Sequence, residues 1–250
     1  MAEPLLETAD LTRRFGALAA VDGISLRVER FGVHAVIGPN GAGKSTLLGL
    51  LAGELRASSG RIVFRGTEVT RSPPEAISQM GMGRSYQTAN VFPTLSCAEC
   101  VWLAAQSRAR TSMVFLRSAD RDPEIAARAA QALAECGLSD RRLVLAGQLS
   151  YGDQRLLEIA MVLATAPELL LLDEPLAGLG HDEGHRILAL LREIARDRTL
   201  VLVEHDMDAV FSIATTVTVM VNGRLLETGA AQAIRGSARV REAYLGEEEA

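Results

Sequence analysis

The eight residues Gly38-Pro39-Asn40-Gly41-Ala42-Gly43-Lys44-Ser45 fit the pattern G-x-x-x-x-G-K-[ST], with an apolar β-type run at 33–37 before them and an apolar helical run at 46–52 after them. Strand, glycine loop and helix in that order are the context a phosphate cradle requires. Glycines let backbone N–H groups turn inward without a Cβ in the way, and the helix N-terminus adds the positive end of its dipole. In such a loop Lys44 reaches β- and γ-phosphates, and the Ser45 hydroxyl ligates Mg2+.

The cation count reinforces this. Of 26 basic residues, 25 are Arg and one is Lys, Lys44. A compact ammonium on a flexible stem does here what a planar guanidinium fork cannot. Against those 26 stand 31 acidic residues, a net charge of −5. A phosphate-backbone binder needs a basic surplus, so nucleic acid is not expected as a partner. The longest uncharged stretch, residues 209–223, is too short and too polar to span a bilayer. Glu3 and Glu7 stand where a secretory signal would be basic and then apolar, and three Cys suit a reducing compartment. A cytoplasmic location is expected.

Short β-rich runs at 24–28, 33–37 and 61–64 read as sheet, and Ser72-Pro73-Pro74-Glu75 opens a short helix to about Met80. From Ser96, which pairs with Glu99 as a capping box, the pattern turns helical, with a second helix after Asp122-Pro123-Glu124 that ends at Gly137. Then come a helix over 153–166, the strand 169–172, a helix over 183–196 and the strand 199–203. This alternation predicts parallel strands covered on both faces, an α/β core. Asn222-Gly223 between 216–221 and 224–227 signals a hairpin, and Glu247-Glu248-Glu249 a solvated tail.

A second acidic pair, Asp173-Glu174, follows the apolar strand 169–172. A carboxylate at the C-terminal end of a buried parallel strand points into the crevice where α/β ligands bind. Asp173 is placed to hold Mg2+ through its water shell, and Glu174 to deprotonate or orient the attacking water.

With Leu149-Ser150-Tyr151-Gly152-Asp153-Gln154 added, the chain resembles the ATP-binding cassette (ABC) ATPases. This run is similar to their L-S-G-G-Q signature. The resemblance implies a P-loop NTPase (RecA-like) core, residues 1–88 and 156–250, with an antiparallel β subdomain, and a small helical signature subdomain, residues 89–155, in one domain over 1–250. It also implies that ATP is sandwiched between two cassettes, with Ser150, Gly152 and Asp153 on the nucleotide of a second ATPase subunit. Within one cassette it implies phosphate contacts from Gly38, Pro39, Asn40, Gly41, Ala42, Gly43, Lys44, Ser45 and Thr46. Phe15 stacks on adenine, Gln87 senses Mg2+ and water, and His205 contacts the γ-phosphate. Implied metal contacts are thus Ser45, Gln87 and Asp173, and implied catalytic residues Glu174, His205, Gln87 and Lys44.

Finer motifs, namely Tyr151-Gly152, Ala177-Gly178-Leu179, Val203-Glu204-His205-Asp206-Met207 and Ala243-Tyr244-Leu245-Gly246, resemble the ATP-binding subunits of branched-chain (hydrophobic) amino-acid importers. The expected partners are a second cassette, integral membrane permease subunits and, indirectly, an extracytoplasmic solute-binding protein. The chain would then be peripheral on the inner face of the membrane. Competing readings are a soluble cassette ATPase of DNA repair or translation and a nucleotide-gated regulatory module. Two positions depart from the family pattern: Tyr151 replaces the first signature Gly, and Gly180 stands where many cassettes carry Asp, a role Asp182 would partly fill.

Three other features read as structural. Cys97-Ala98-Glu99-Cys100 lacks the second pair that zinc needs. His181 and His185 do not fall in H-E-x-x-H order. His34, within an apolar strand, reads as a core residue.

Overall fold

The computed structural model describes residues 3–86, 90–108 and 122–245. Its strands are β1 (Leu6–Phe15), β2 (Leu18–Ile24), β3 (Arg27–Val28), β4 (Gly32–Ile37), β5 (Ser59–Phe64), β6 (Thr67–Glu68), β7 (Met82–Arg84), β8 (Leu169–Asp173), β9 (Thr199–Val203), β10 (Thr216–Val221) and β11 (Arg224–Ala230). The helices are α1 (Lys44–Leu51), α2 (Pro74–Gln79), α3 (Cys97–Gln106), α4 (Pro123–Glu135), α5 (Tyr151–Ala164), α6 (His181–Ile194), α7 (Met207–Ile213), α8 (Ala231–Gly236) and α9 (Ala238–Leu245).

Six strands form the central sheet in the order β11-β10-β4-β9-β8-β7, all parallel neighbours except the β10–β11 hairpin. β8 and β9 are buried at every position, as strands covered on both faces must be. One face packs on α3 to α6 through Leu133, Leu157, Leu191, Leu170 and Leu202. The other packs on α1 and on the second sheet through Leu47, Leu51, Phe64, Leu171 and Val203. That second sheet is antiparallel, order β2-β1-β5-β6, with β3 also on β1. α7 to α9 cover the β4 and β10 end around Val210 and Ile234.

The local signals act as expected at several ends. Ser96 and Glu99 form the reciprocal capping box of α3, and Asp122 caps α4. Asn222 (φ 50) and Gly223 (φ 78) make the hairpin turn with the two positive φ angles a type I′ turn demands. Three expectations shift. α2 opens at Pro74 with Pro73, not Ser72, at the cap position and no side-chain cap. α5 begins at Tyr151, because Ser150 rather than a later residue accepts the first free N–H. α6 starts at His181, two residues before the expected 183. Among the described residues no helix is long and apolar enough to cross a membrane.

Candidate functional site

In-register pairing of β4, β9 and β8 brings Val36, Val203 and Asp173 side by side, so the loops after these strands share one crevice. The glycine loop runs from β4 into α1. At Gly38 (φ 152) a Cβ would lie 2.0 Å from the Met220 carbonyl oxygen, and at Gly43 (φ 96) one would lie 2.0 Å from that of Ala20. Both positions therefore exclude any side chain. The β10–β11 turn props the loop from outside, Gly223 N–H donating to the Ala42 carbonyl at 3.1 Å.

Lys44 is only 7 % exposed. Its ammonium donates to the Gly38 carbonyl at 2.6 Å and the Pro39 carbonyl at 2.9 Å, curling back over the loop it belongs to. Ser45, one residue on, donates from Oγ to Asp173 Oδ1 at 3.2 Å. Asp173 is buried, which pushes its carboxyl up; Arg84, with Nη2 at 3.6 Å, pulls the other way. Two hard oxygen donors facing each other at this spacing fit a Mg2+ ion, which favours carboxylate and hydroxyl oxygens.

Glu174 follows at a sharp turn, with φ 48, and its N–H donates to the Val203 carbonyl at 2.9 Å. Leaving β9, Glu204 is completely buried, and His205 after it is exposed. Glu204 Oε1 accepts from Leu176 N–H at 2.8 Å and Oε2 from His205 N–H at 3.2 Å. Burial pushes the Glu204 carboxyl up.

Ser150 caps α5, its Oγ accepting from Asp153 N–H at 3.2 Å. The Glu183 carboxylate lies against this corner: a Cβ on Gly152 would come within 2.5 Å of it, and Ser150 Oγ reaches Glu183 Oε1 at 3.5 Å. The Tyr151 ring, 41 % exposed, rests on Gly178, where a Cβ would sit 3.3 Å from Cε1.

The family profile described as ABC transporter matches residues 21–177, from β2 through the glycine loop and signature to the turn after Asp173. This chain belongs to the ABC transporter family. The cassette is 38 % identical over 254 residues to "High-affinity branched-chain amino acid transport ATP-binding protein BraF" of Pseudomonas aeruginosa, covering 99 % of this chain and 100 % of that one. It is 35 % identical over 257 residues to "High-affinity branched-chain amino acid transport ATP-binding protein LivG" of Escherichia coli, again 99 % and 100 % covered. Among solved structures it resembles the ADP conformation of MJ1267, an ATP-binding cassette of an ABC transporter: TM-score 0.87, 29 % identity, 98 % of this chain and 100 % of that one.

Several expected residues thus gather at the ends of β4, β8 and β9, including Lys44, Ser45, Asp173, Glu174 and His205 in the cassette. Phe15, at the end of β1, is 45 % exposed, so it is not a core ring. Arg13 lies over its face, 4.4 Å from the centroid. Gln87 lies outside the described residues, as do Gly246 and the acidic tail. The Asp153 carboxylate is buried and turned to Arg141 and to Arg186, the latter at 3.5 Å, while its backbone N–H donates to Ser150 Oγ. Asp182 is exposed.

Other residues carry no motif and escape a reading of the sequence. Arg84 Nη1 pairs with Glu54 at 2.8 Å while Nη2 approaches Asp173, and the Tyr86 hydroxyl donates to the same Glu54 at 2.9 Å. Tyr86, next to Gln87, is held by its backbone: its N–H donates to Glu158 and its carbonyl accepts from the fully buried Arg155 at 2.6 Å. Cys97 and Cys100 are buried with their thiols pushed up by burial, and His34 is buried with Nε2 2.8 Å from Thr218 Oγ1. His181 and His185 meet edge to face at 4.1 Å beside a cleft of ≈ 670 Å³, and among the described residues no three His, Cys, Asp or Glu side chains gather to bind a metal.

Proposed function

We propose that this cassette is the ATP-hydrolysing subunit of an importer for branched-chain or other hydrophobic amino acids. Membership of the ABC transporter family makes it an ATP-binding ATPase that works with membrane permease subunits. The finer reading draws on relatives named for branched-chain amino-acid transport, aligned over nearly the full length of both chains. It places the cassette on the inner face of the membrane, paired with a second cassette, with an extracytoplasmic binding protein delivering solute. No feature favours action in DNA repair or translation, or a regulatory module.

The observation that carries the chemistry is the convergence of Lys44, Ser45 and Asp173 beside Glu174. On ATP binding, Lys44 exchanges its loop carbonyls for β- and γ-phosphate oxygens, its charge undiminished by solvent in a buried site. Ser45 and Asp173, with Gln87, hold Mg2+, which when bound neutralises charge developing on the phosphates. Glu174 takes the proton of the attacking water, and His205 donates to the γ-phosphate. Phe15 covers the base. Ser150 and the N-terminal end of α5 close over the nucleotide of the second subunit, as a hydroxyl and a helix N-terminus can. Residues 89–155, as a helical subdomain, carry the signature toward that subunit.

The test is reconstitution of the cassette with its permease subunits in vesicles. Leucine, isoleucine or valine, presented with the binding protein, should accelerate ATP hydrolysis and accumulate inside. Hydrolysis indifferent to every hydrophobic amino acid would reject the solute assignment.

A further inference from the structure

Glu204 is a buried carboxylate at the crevice to which hydrolysis assigns no task. It directly follows β9, with 0 % of its surface exposed. A buried carboxylate persists only where hydrogen bonds replace its water, and here the donors come from two different loops. Leu176 N–H, at 2.8 Å, belongs to the turn after β8; His205 N–H, at 3.2 Å, belongs to the loop after β9.

The first loop needs an outside restraint. Glu174 sits at φ 48, a conformation that non-glycine residues adopt only when their surroundings hold them there. Within its turn, the Glu174 carbonyl accepts from Ala177 N–H at 3.1 Å, and Glu174 N–H is tied to Val203. Glu204 adds the tie at Leu176, two residues from Glu174. The second loop carries an exposed His205 whose Nδ1 is 3.8 Å from Glu204 Oε2. Each carboxylate oxygen accepts from a different loop, so a single side chain fixes both backbones relative to each other.

We propose that Glu204 is a positioning residue that holds the Glu174 turn and the His205 loop in one register, so that base and γ-phosphate contact arrive at the reacting group together. The inference rests on the hydrolysis reading above. It further implies that displacement of His205 is passed through Glu204 to residues 176–180, the segment leading into α6.

The test uses Glu204→Gln and Glu204→Ala in the assembled transporter. A Gln amide keeps one acceptor oxygen and sets an NH2 donor where the other oxygen stood, facing a backbone N–H it cannot accept from, so it releases one loop; Ala releases both. Turnover should fall about tenfold or more in each, with ATP affinity changed less than about twofold. Amide hydrogen exchange should rise selectively at Leu176 and His205, at both in the Ala variant. Combining Glu204→Gln with His205→Ala should cost little beyond the slower single variant, because one acts through the other. Unchanged turnover, a loss confined to KM, or losses that multiply in the double variant would overturn the proposal. If His205→Ala alone turns over like wild type, the hydrolysis reading fails instead, and the exchange at Leu176 and His205 still decides whether Glu204 ties the loops. Glu204→Gln preserves shape and volume, so it keeps the test open if the Ala variant does not fold.

Discussion

Ser45 Oγ donates to Asp173 Oδ1 at 3.2 Å across 128 residues of chain. The contact exists because β9 lies between β4 and β8, bringing the start of α1 opposite the end of β8. Ser45→Ala should therefore raise the Mg2+ concentration for half-maximal turnover about tenfold, as loss of a ligand or its orienting partner does elsewhere. EDTA should stop turnover of the wild type. A Mg2+ titration of ATPase activity checks both, and an unshifted midpoint in Ser45→Ala would remove the hydroxyl from the metal site.

Lys44 is the only Lys in the chain, and its ammonium bridges two carbonyls of its own loop from a buried position. A guanidinium is larger, planar and unable to enter that space as a point charge. Lys44→Arg, although it keeps the charge, should lower turnover at least about a hundredfold. Steady-state hydrolysis at saturating ATP measures it, and activity within a few-fold of wild type would mean the position needs only a positive charge.

Phe15 is held open rather than packed inward, with Arg13 against one face. Stacking on an aromatic is worth about 1–3 kcal/mol per base. Phe15→Leu should thus raise the KM for ATP roughly five- to a hundredfold and leave kcat nearly unchanged. A fall in kcat at constant KM would assign the ring some other task.

His34 should leave a signature in the stability of the fold. Burial holds its pKa down to about 4 against an ordinary value of 6.5. The unfolded chain thus takes up a proton below pH 6.5 that the folded chain refuses until about pH 4, and stability drops as pH falls through that window. At about 1.4 kcal/mol per pKa unit the loss approaches about 3 kcal/mol. Asp173 and Glu158, pushed up by burial, run the opposite way but are common to both proteins. Denaturant melts of wild type and His34→Gln at pH 7 and pH 4.5 should show the wild type losing more, and parallel losses would place the proton elsewhere.

The regular and the paired parts of this molecule were readable from its residues; the compensated parts were not. The glycine loop, Asp173-Glu174 and the Ser96–Glu99 capping box announce themselves because their chemistry is local in sequence. β1 does not: Asp10 at φ 48 shifts its register, so the buried Leu6, Thr8 and Leu11 break the two-residue alternation that marks a strand. Arg84 and Glu54 show the other limit. They lie 30 residues apart, and only the fold puts one guanidinium between Glu54 and Asp173. Glu204 adjoins His205 in every reading, yet nothing in the string says that its carboxylate turns inward to a turn 28 residues earlier.

Whether Glu174 is the base of an ATP-driven dimer is decided by sizing Glu174→Gln with and without Mg-ATP while following phosphate release. The variant should retain ATP binding, turn over at least about a hundredfold more slowly, and form a dimer with ATP that persists, because binding is kept while proton abstraction is lost. Turnover near the wild-type rate would contradict that role.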